Sequence, residues 1–203
     1  MPDAPAPTTV PNGALRRAIL DETRGLLVRE GYAGLSMRKI ARAVGCSATS
    51  IYLYFDSKDA LTHALIDEGM ERLHATLEAA EVGASTARER LDRLCRAYVR
   101  FGLDHPEYYE TMFQLHPQRM RRYPAESYRR ARRNVERFTA ALVAGAADGT
   151  LRESTSADVA AAALWTALHG LVSLHLAQRI DRRIAGEAFL DAAIAQAQAA
   201  LRA

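Results

Sequence analysis

Cysteine is scarce: the chain carries two, Cys46 and Cys95, far apart and without CxxC spacing. A disulfide framework or zinc knuckle is therefore not expected, and the usage fits a reducing cytoplasm. No stretch approaches the roughly 18 uninterrupted apolar residues of a membrane span. The opening segment, MPDAPAPTTVPNG, lacks the basic region followed by an apolar run that marks a secretory signal. Charge of one sign is missing as well, since 27 lysines and arginines face 24 acidic residues for a formal net charge of +3. That balance permits nucleic-acid binding without requiring it, so the positions of the charges must carry the case. Apolar–polar alternation bounded by turn residues is absent, which points to an all-α fold. No serine–histidine–acid cluster and no phosphate-cradling glycine loop is visible, and His116 and His175 have no partners at metal-ligand spacing. These absences argue against an enzyme, a metal site or a cofactor.

What is present is helical periodicity. At 203 residues the chain is long enough for a substantial core, in one domain or in a small domain joined to a larger one. Residues 1–13, rich in proline and alanine, read as a mobile tail. A first helix is predicted over 14–30, with Leu15, Ile19, Leu26 and Leu27 on one face and Gly31 just past its end. Ser36 is placed to cap a short helix over 37–44, and Gly45 to end it in a left-handed conformation. Ser47 caps a third helix running to about Tyr54, and Asp56 or Ser57 a long fourth over 58–81. Further helices are predicted over 87–103, 106–115, about 123–147, 156–179 and 185–202.

The segment 36–55 carries the chemistry. Two short helices joined by a tight glycine turn have the dimensions of a helix-turn-helix, whose second helix enters the major groove of DNA. Its outer face offers Ser47, Ala48, Thr49 and Ser50, then Tyr52 and Tyr54. Serine and threonine can bond base edges or phosphates, and a threonine methyl can meet a thymine methyl. Arg38, Lys39, Arg42 and Lys58 surround the element and can neutralise phosphates. On composition alone, two small helices packing a core with solvated charges fit equally well.

The order of residues is more specific. The stretch Ser36-Met37-Arg38-Lys39-Ile40-Ala41-Arg42-Ala43-Val44-Gly45-Cys46-Ser47-Ala48-Thr49-Ser50-Ile51-Tyr52-Leu53-Tyr54-Phe55-Asp56-Ser57-Lys58-Asp59-Ala60-Leu61 resembles the DNA-binding signature of TetR-family regulators. Ile40, Ala41, Gly45, Ser47, Ile51, Tyr52, Tyr54, Phe55, Ser57, Lys58 and Leu61 carry the match. Val44 and Cys46 depart conservatively, and Thr49 stands where many members have glycine. The resemblance implies that Ser36, Tyr52 and Lys58 hold phosphates and that Tyr54 touches backbone or base. Ala48, Thr49 and Ser50 are then the candidates for base-edge contact, while Ile40, Ile51 and Phe55 belong to the core. It also implies a DNA-binding domain over 14–60 and an effector-binding, dimerising domain over 61–203.

Within 61–203, His105-Pro106-Glu107-Tyr108-Tyr109 with Met112-Phe113, and Leu164-Trp165-Thr166-Ala167-Leu168-His169-Gly170-Leu171, resemble a subgroup with a Trp–His–Gly motif. Trp165 and His169, four apart, share a helix face and can line a cavity together. Gly170 would permit close approach of another helix. Tyr108, Tyr109, Met112, Phe113 and Phe138 complete a candidate pocket for a small-molecule effector. The same residues fit plain core. The arginines between 119 and 137 cover more than one helix face and read mainly as a solvated, ion-paired surface. The last two helices, alanine-rich with a leucine stripe, suit a four-helix interface between two copies, which predicts a palindromic operator. A ligand-independent architectural DNA-binding protein and an α-helical enzyme are the alternatives.

Overall fold

A computed structural model describes residues 12–114, 124–154 and 156–202. Residues 1–11 of the tail expected over 1–13, the stretch holding His116, Pro117 and Arg119, and the end of the helix expected to reach Leu115 lie outside that set; Asn12 and Gly13, expected in the tail, instead open the first helix. The described residues form helices, with a single isolated β-bridge between Leu151 and Arg202 and no strand among them. The helices are α1 (Asn12–Gly34), α2 (Met37–Val44), α3 (Ala48–Tyr52), α4 (Lys58–Glu81), α5 (Ala87–Asp104), α6 (Pro106–Tyr109), α7 (Ala125–Ala147), α8 (Ala157–Leu176) and α9 (Glu187–Ala197). The chain divides into two compact units, residues up to Ile66 with the segment from Glu110 to Arg121, and the remainder.

The first unit is built on α1, α2 and α3. Ile19, Leu26, Leu27, Ile40, Ile51 and Phe55 are all buried in one core, joined by Leu61 and Leu65 from the start of α4. Local chemistry dictates the boundaries. Gly31, with φ 67°, breaks the regular α1 path at the glycine expected to follow that helix. The Ser36 side chain accepts from the Lys39 amide at 3.2 Å, and Gly45 closes α2 with φ 77°, a conformation L side chains seldom adopt. Serine caps of this kind stabilise a helix by about 1 kcal/mol each. Ser47 caps α3 through the Ser50 amide at 3.0 Å, and Ser57 receives the Ala60 amide at 3.1 Å. α3 is shorter than predicted: the amides of Tyr54 and Phe55 both bond the Ile51 carbonyl, so the helix closes in a turn after Tyr52.

The second unit is organised around α5, α7 and α8, which pack on one another, with α9 laid against α5 and α8. Gly102 makes the α5–α8 approach possible, because a Cβ there would stand 2.5 Å from Val172 Cγ1 and 3.0 Å from the Tyr109 ring. Thr86 caps α5: its Oγ1 accepts from the Glu89 amide, while the Glu89 carboxylate accepts from the amide of Ser85, one residue before the cap. The helix expected over 106–115 is instead one α turn, α6, followed by a wider π turn over Glu110–Gln114 that packs on α1 in the first unit. α8 ends at Leu176, before Gln178 takes a positive φ of 53°. α9 passes into a short 3₁₀ turn over Ala199–Leu201. α8 is also, among the described residues, the one helix long and apolar enough to cross a membrane by length and composition, although Ala161, Leu164, Leu168 and Val172 bury one of its faces in the unit.

Candidate nucleic-acid interface

In the first unit α2 and α3 sort their residues into two faces. Met37, Ile40 and Ala41 point inward from α2, and Ile51 does so from α3. Outward, α2 leaves Arg38 and Arg42 exposed one turn apart, with no carboxylate partner among the described residues. Lys39 differs, since its ammonium is paired with Glu30 of α1. From α3 the outward set is Ser47, Thr49, Tyr52 and Leu53, with Ala48, Ser50 and Tyr54 half-buried beside it. Tyr52 is 52% exposed and Leu53 80%. The hydroxyls of Ser47 and Ser50 lie 2.8 Å apart, so their hydrogen bond orders the first turn of α3 while an acceptor face stays open to solvent.

Lys58 stands in the first turn of α4, as expected, but its ammonium is held inside the unit. Nζ lies 4.1 Å from the Tyr32 ring centroid and donates to the Tyr32 carbonyl at 3.4 Å. The Tyr32 hydroxyl in turn donates to Asp59, and burial together with that acceptor pushes the phenol far above its ordinary range. Arg16 sits over the Phe55 ring at 5.4 Å. Cys46 is a half-buried thiol whose pKa burial raises, consistent with a packing role.

The second unit divides the candidate pocket residues. Tyr109, Trp165 and His169 come together, with Tyr98 of α5 joining them. His169 stacks on the Trp165 ring at 5.2 Å and on the Tyr109 ring at 5.3 Å. Its Nδ1 is in hydrogen-bond contact with the Tyr109 hydroxyl at 2.6 Å, and the Tyr98 hydroxyl lies 3.2 Å away. Burial lowers the imidazole pKa and raises those of both phenols, so the cluster is polar yet uncharged at neutral pH. Sequence reasoning misses Tyr98 because its place in the α5 stripe, beside Leu94, Cys95 and Val99, reads simply as apolar core. Tyr108 goes elsewhere in the unit, its hydroxyl donating to Glu68 and its ring lying under Arg72 at 5.0 Å. Phe138 is fully buried. Met112 and Phe113, half-buried on the π turn, fall in the first unit. Gly170 meets nothing within 4 Å of a Cβ built there, so the helix approach expected at that position is not made by the described residues of the chain.

The arginine-rich helix α7 is largely neutralised by α4. Arg130 pairs with Asp67 at 3.3 Å, Arg133 with Glu71 at 2.7 Å, and Arg137 with Glu81 at 2.6 Å and Glu78 at 3.2 Å. Between these, His74 bonds Asn134 at 3.0 Å and Arg137 at 3.1 Å. Arg129 and Arg132 pair along their own helix with Glu126 and Glu136. No group of three or more histidine, cysteine or acidic side chains suited to a metal occurs among the described residues. A shallow groove of about 270 Å³ runs between α5 and α9, floored by Val99, Leu103, Leu190 and Ile194 and bridged by Arg96–Asp191 and Arg100–Glu187 pairs.

Comparison with known proteins places this geometry. Residues 19–65 match the bacterial regulatory proteins of the tetR family, and residues 91–197 match a tetracyclin repressor-like C-terminal domain. An HTH-type transcriptional repressor of Mycobacterium tuberculosis is 40% identical over 62 residues, covering 30% of this chain and 33% of that protein. The HTH-type transcriptional regulator BetI of Rhizobium meliloti is 33% identical over 92 residues, covering 45% of each. The chain thus spans less than half the length of the curated relatives it matches. Among solved structures, a protein of unknown function from Rhodococcus sp. RHA1 superposes with a TM-score of 0.79 at 26% identity, covering 99% of this chain and 100% of that one. The TetR-family regulator PfmR of Thermus thermophilus gives 0.71 at 23% identity, over 90% and 96% of the two chains. Together with the helix-turn-helix and its exposed second helix, these matches show that the chain belongs to the TetR family of DNA-binding transcriptional regulators.

Proposed function

We infer that the protein is a homodimeric, cytoplasmic repressor that grips a palindromic operator and leaves it when a small-molecule effector binds the second unit. One observation carries the DNA-binding half of this. The serine-capped α3 presents Thr49 and Tyr52 outward, beside Arg38 and Arg42, which have no carboxylate partner among the described residues. In this arrangement Ser36, Arg38, Tyr52 and Lys58 hold phosphates, with Lys58 leaving the Tyr32 ring for the backbone. Ser47, Ala48, Thr49, Ser50 and Tyr54 face bases or the adjacent backbone.

Pairing of two copies is supported by α8. Val159, Ala162, Ala163, Thr166, Ala167 and Leu174 are exposed along it, Gly170 faces open space, and α9 adds exposed Ala188 and Ala192. An apolar face of small side chains allows two helices to approach closely, and burying it against a second copy accounts for the apolarity of α8 without a lipid phase. A two-fold dimer sets two α3 helices about 34–36 Å apart, one duplex turn. The effector site is assigned to the uncharged cluster of Tyr109, Trp165 and His169, with Tyr108, Phe138, Met112 and Phe113 as the remaining candidates. Effector and operator then oppose each other reciprocally.

The test is selection of bound genomic fragments by the purified protein at stated salt. Enrichment of one palindrome, lost in Tyr52→Ala, is the expected result. Salt-sensitive binding without a preferred sequence would point instead to an architectural protein, and absence of binding would remove the proposal.

A further inference from the structure

We propose that Leu53, together with Thr49, reads thymine methyl groups in the major groove and so fixes part of the operator sequence. This rests on the operator-binding function inferred above and adds a residue to it. Leu53 is the most exposed of the large apolar side chains described, at 80%, and it follows Tyr52, itself 52% exposed. It holds helical φ/ψ at the C-cap of α3, so it continues the helical path and lies one turn beyond Thr49 on the same face. Four residues of helix advance about 6 Å, close to two base-pair steps. Helical side chains tilt back toward the N-terminus, which carries the Leu53 methyls toward Thr49 and toward the end of the helix that meets base edges. The outer face of α3 thus carries a branched aliphatic side chain and a threonine methyl, flanked by hydroxyls.

Arginine at such positions would select guanine, and asparagine or glutamine would select adenine, through paired hydrogen bonds. Neither Leu53 nor the Thr49 methyl can make them. The complementary feature in the major groove is the 5-methyl of thymine, the one apolar group exposed on a base edge. The surrounding charge supports DNA as the occupant: Arg38 and Arg42 lie exposed on α2 of the same unit, with no carboxylate partner among the described residues. A lone exposed leucine is commonplace on protein surfaces. Here its neighbours on the exposed face are Thr49 and Tyr52, both already assigned to DNA.

The experiment uses the full-length protein and the operator enriched from genomic fragments, with each thymine replaced singly by deoxyuridine, which removes only the methyl. Affinity is measured at fixed salt for the wild type and for Leu53→Ala, whose folding is checked by thermal melting. The wild type should show one or two thymines per half-site at which loss of the methyl weakens binding about fourfold, the value of one buried methyl-sized group. In Leu53→Ala at least one of those positions should become insensitive. A deoxyuridine scan that is flat, or unchanged by Leu53→Ala while that variant weakens every duplex equally, would mean that Leu53 packs on sugar and would overturn the proposal. Failure of the wild type to enrich any operator would be a different result, since it removes the operator-binding reading itself and Leu53's role with it.

Discussion

The arginines of α2 and those of α7 look alike in the sequence and differ in the fold. Arg38 and Arg42 stand a turn apart and have no acid to meet among the described residues. Arg130, Arg133 and Arg137, also a turn apart, each meet a carboxylate of α4. A guanidinium already paired with a carboxylate loses that partner when it takes a phosphate, whereas a solvated one loses only water and counterions. The difference teaches that basic residues mark a nucleic-acid surface where their own chain leaves them without a partner. Abundance of arginine alone does not single out α2, which carries two where α5 and α7 carry five each.

The sharpest test of the contrast removes the unpaired set. Arg38→Ala combined with Arg42→Ala takes two guanidiniums from each copy of the chain. Operator affinity should fall by about 100-fold near physiological salt, and the slope of affinity against salt should flatten by ~0.9 for each phosphate left without its arginine. Thermal stability should stay as it was, because neither side chain touches the core. An unchanged salt slope would show that these arginines do not face DNA.

The converse test removes a paired arginine. Arg137 is 16% exposed and its partner Glu81 14%. Arg137→Met should cost about 2 kcal/mol in urea unfolding, less than a fully buried pair because Arg90 also holds Glu81 at 2.9 Å. Arg133→Ala, at the exposed Glu71 pair, should cost only about 0.5 kcal/mol. If the two variants lose the same amount, burial does not grade the α4–α7 seam.

The same contrast explains what could be foreseen. The first unit is legible because its signals are local: Ser36, Gly45, Ser47 and Ser57 act within four residues of where they stand, and the structure finds each doing so. The early end of α3 is not legible, since nothing in Tyr52-Leu53-Tyr54 forbids another helical turn. In the second unit, periodicity locates the helices but cannot match faces. Arg137 reaches Glu81 across 56 residues of chain, and Tyr98 reaches His169 across 71. Spacing says which residues share a side of one helix and is silent on which helix lies opposite. For that reason it groups Met112 and Phe113 with Tyr108 and Tyr109, whereas the π turn takes them into the first unit.

His169 carries the contrast from arginine to a titrating group, and the effect is the smallest. Its Nδ1 lies 2.6 Å from the Tyr109 hydroxyl, inside the aromatic cluster. Burial lowers its pKa in the folded chain, whereas the unfolded imidazole takes up a proton near the ordinary value of about 6.5. Below that pH the unfolded state binds more protons, so stability falls as pH drops through about 6.5 and the loss levels off once the folded imidazole protonates too. Above pH 7 the residue contributes no pH dependence. The loss is small, because the Tyr109 hydroxyl also bonds the His169 carbonyl at 3.2 Å and can receive a hydrogen bond from the charged ring. His169→Asn keeps a polar group near the position of Nδ1 but does not titrate. Urea unfolding of both proteins between pH 5 and pH 8 isolates the residue, because the other histidines contribute equally to each curve. The wild-type curve should fall away from the variant's only below about pH 6.5. Parallel curves would mean that the ring protonates in the folded chain as readily as in the unfolded one, and that its burial does not hold it neutral.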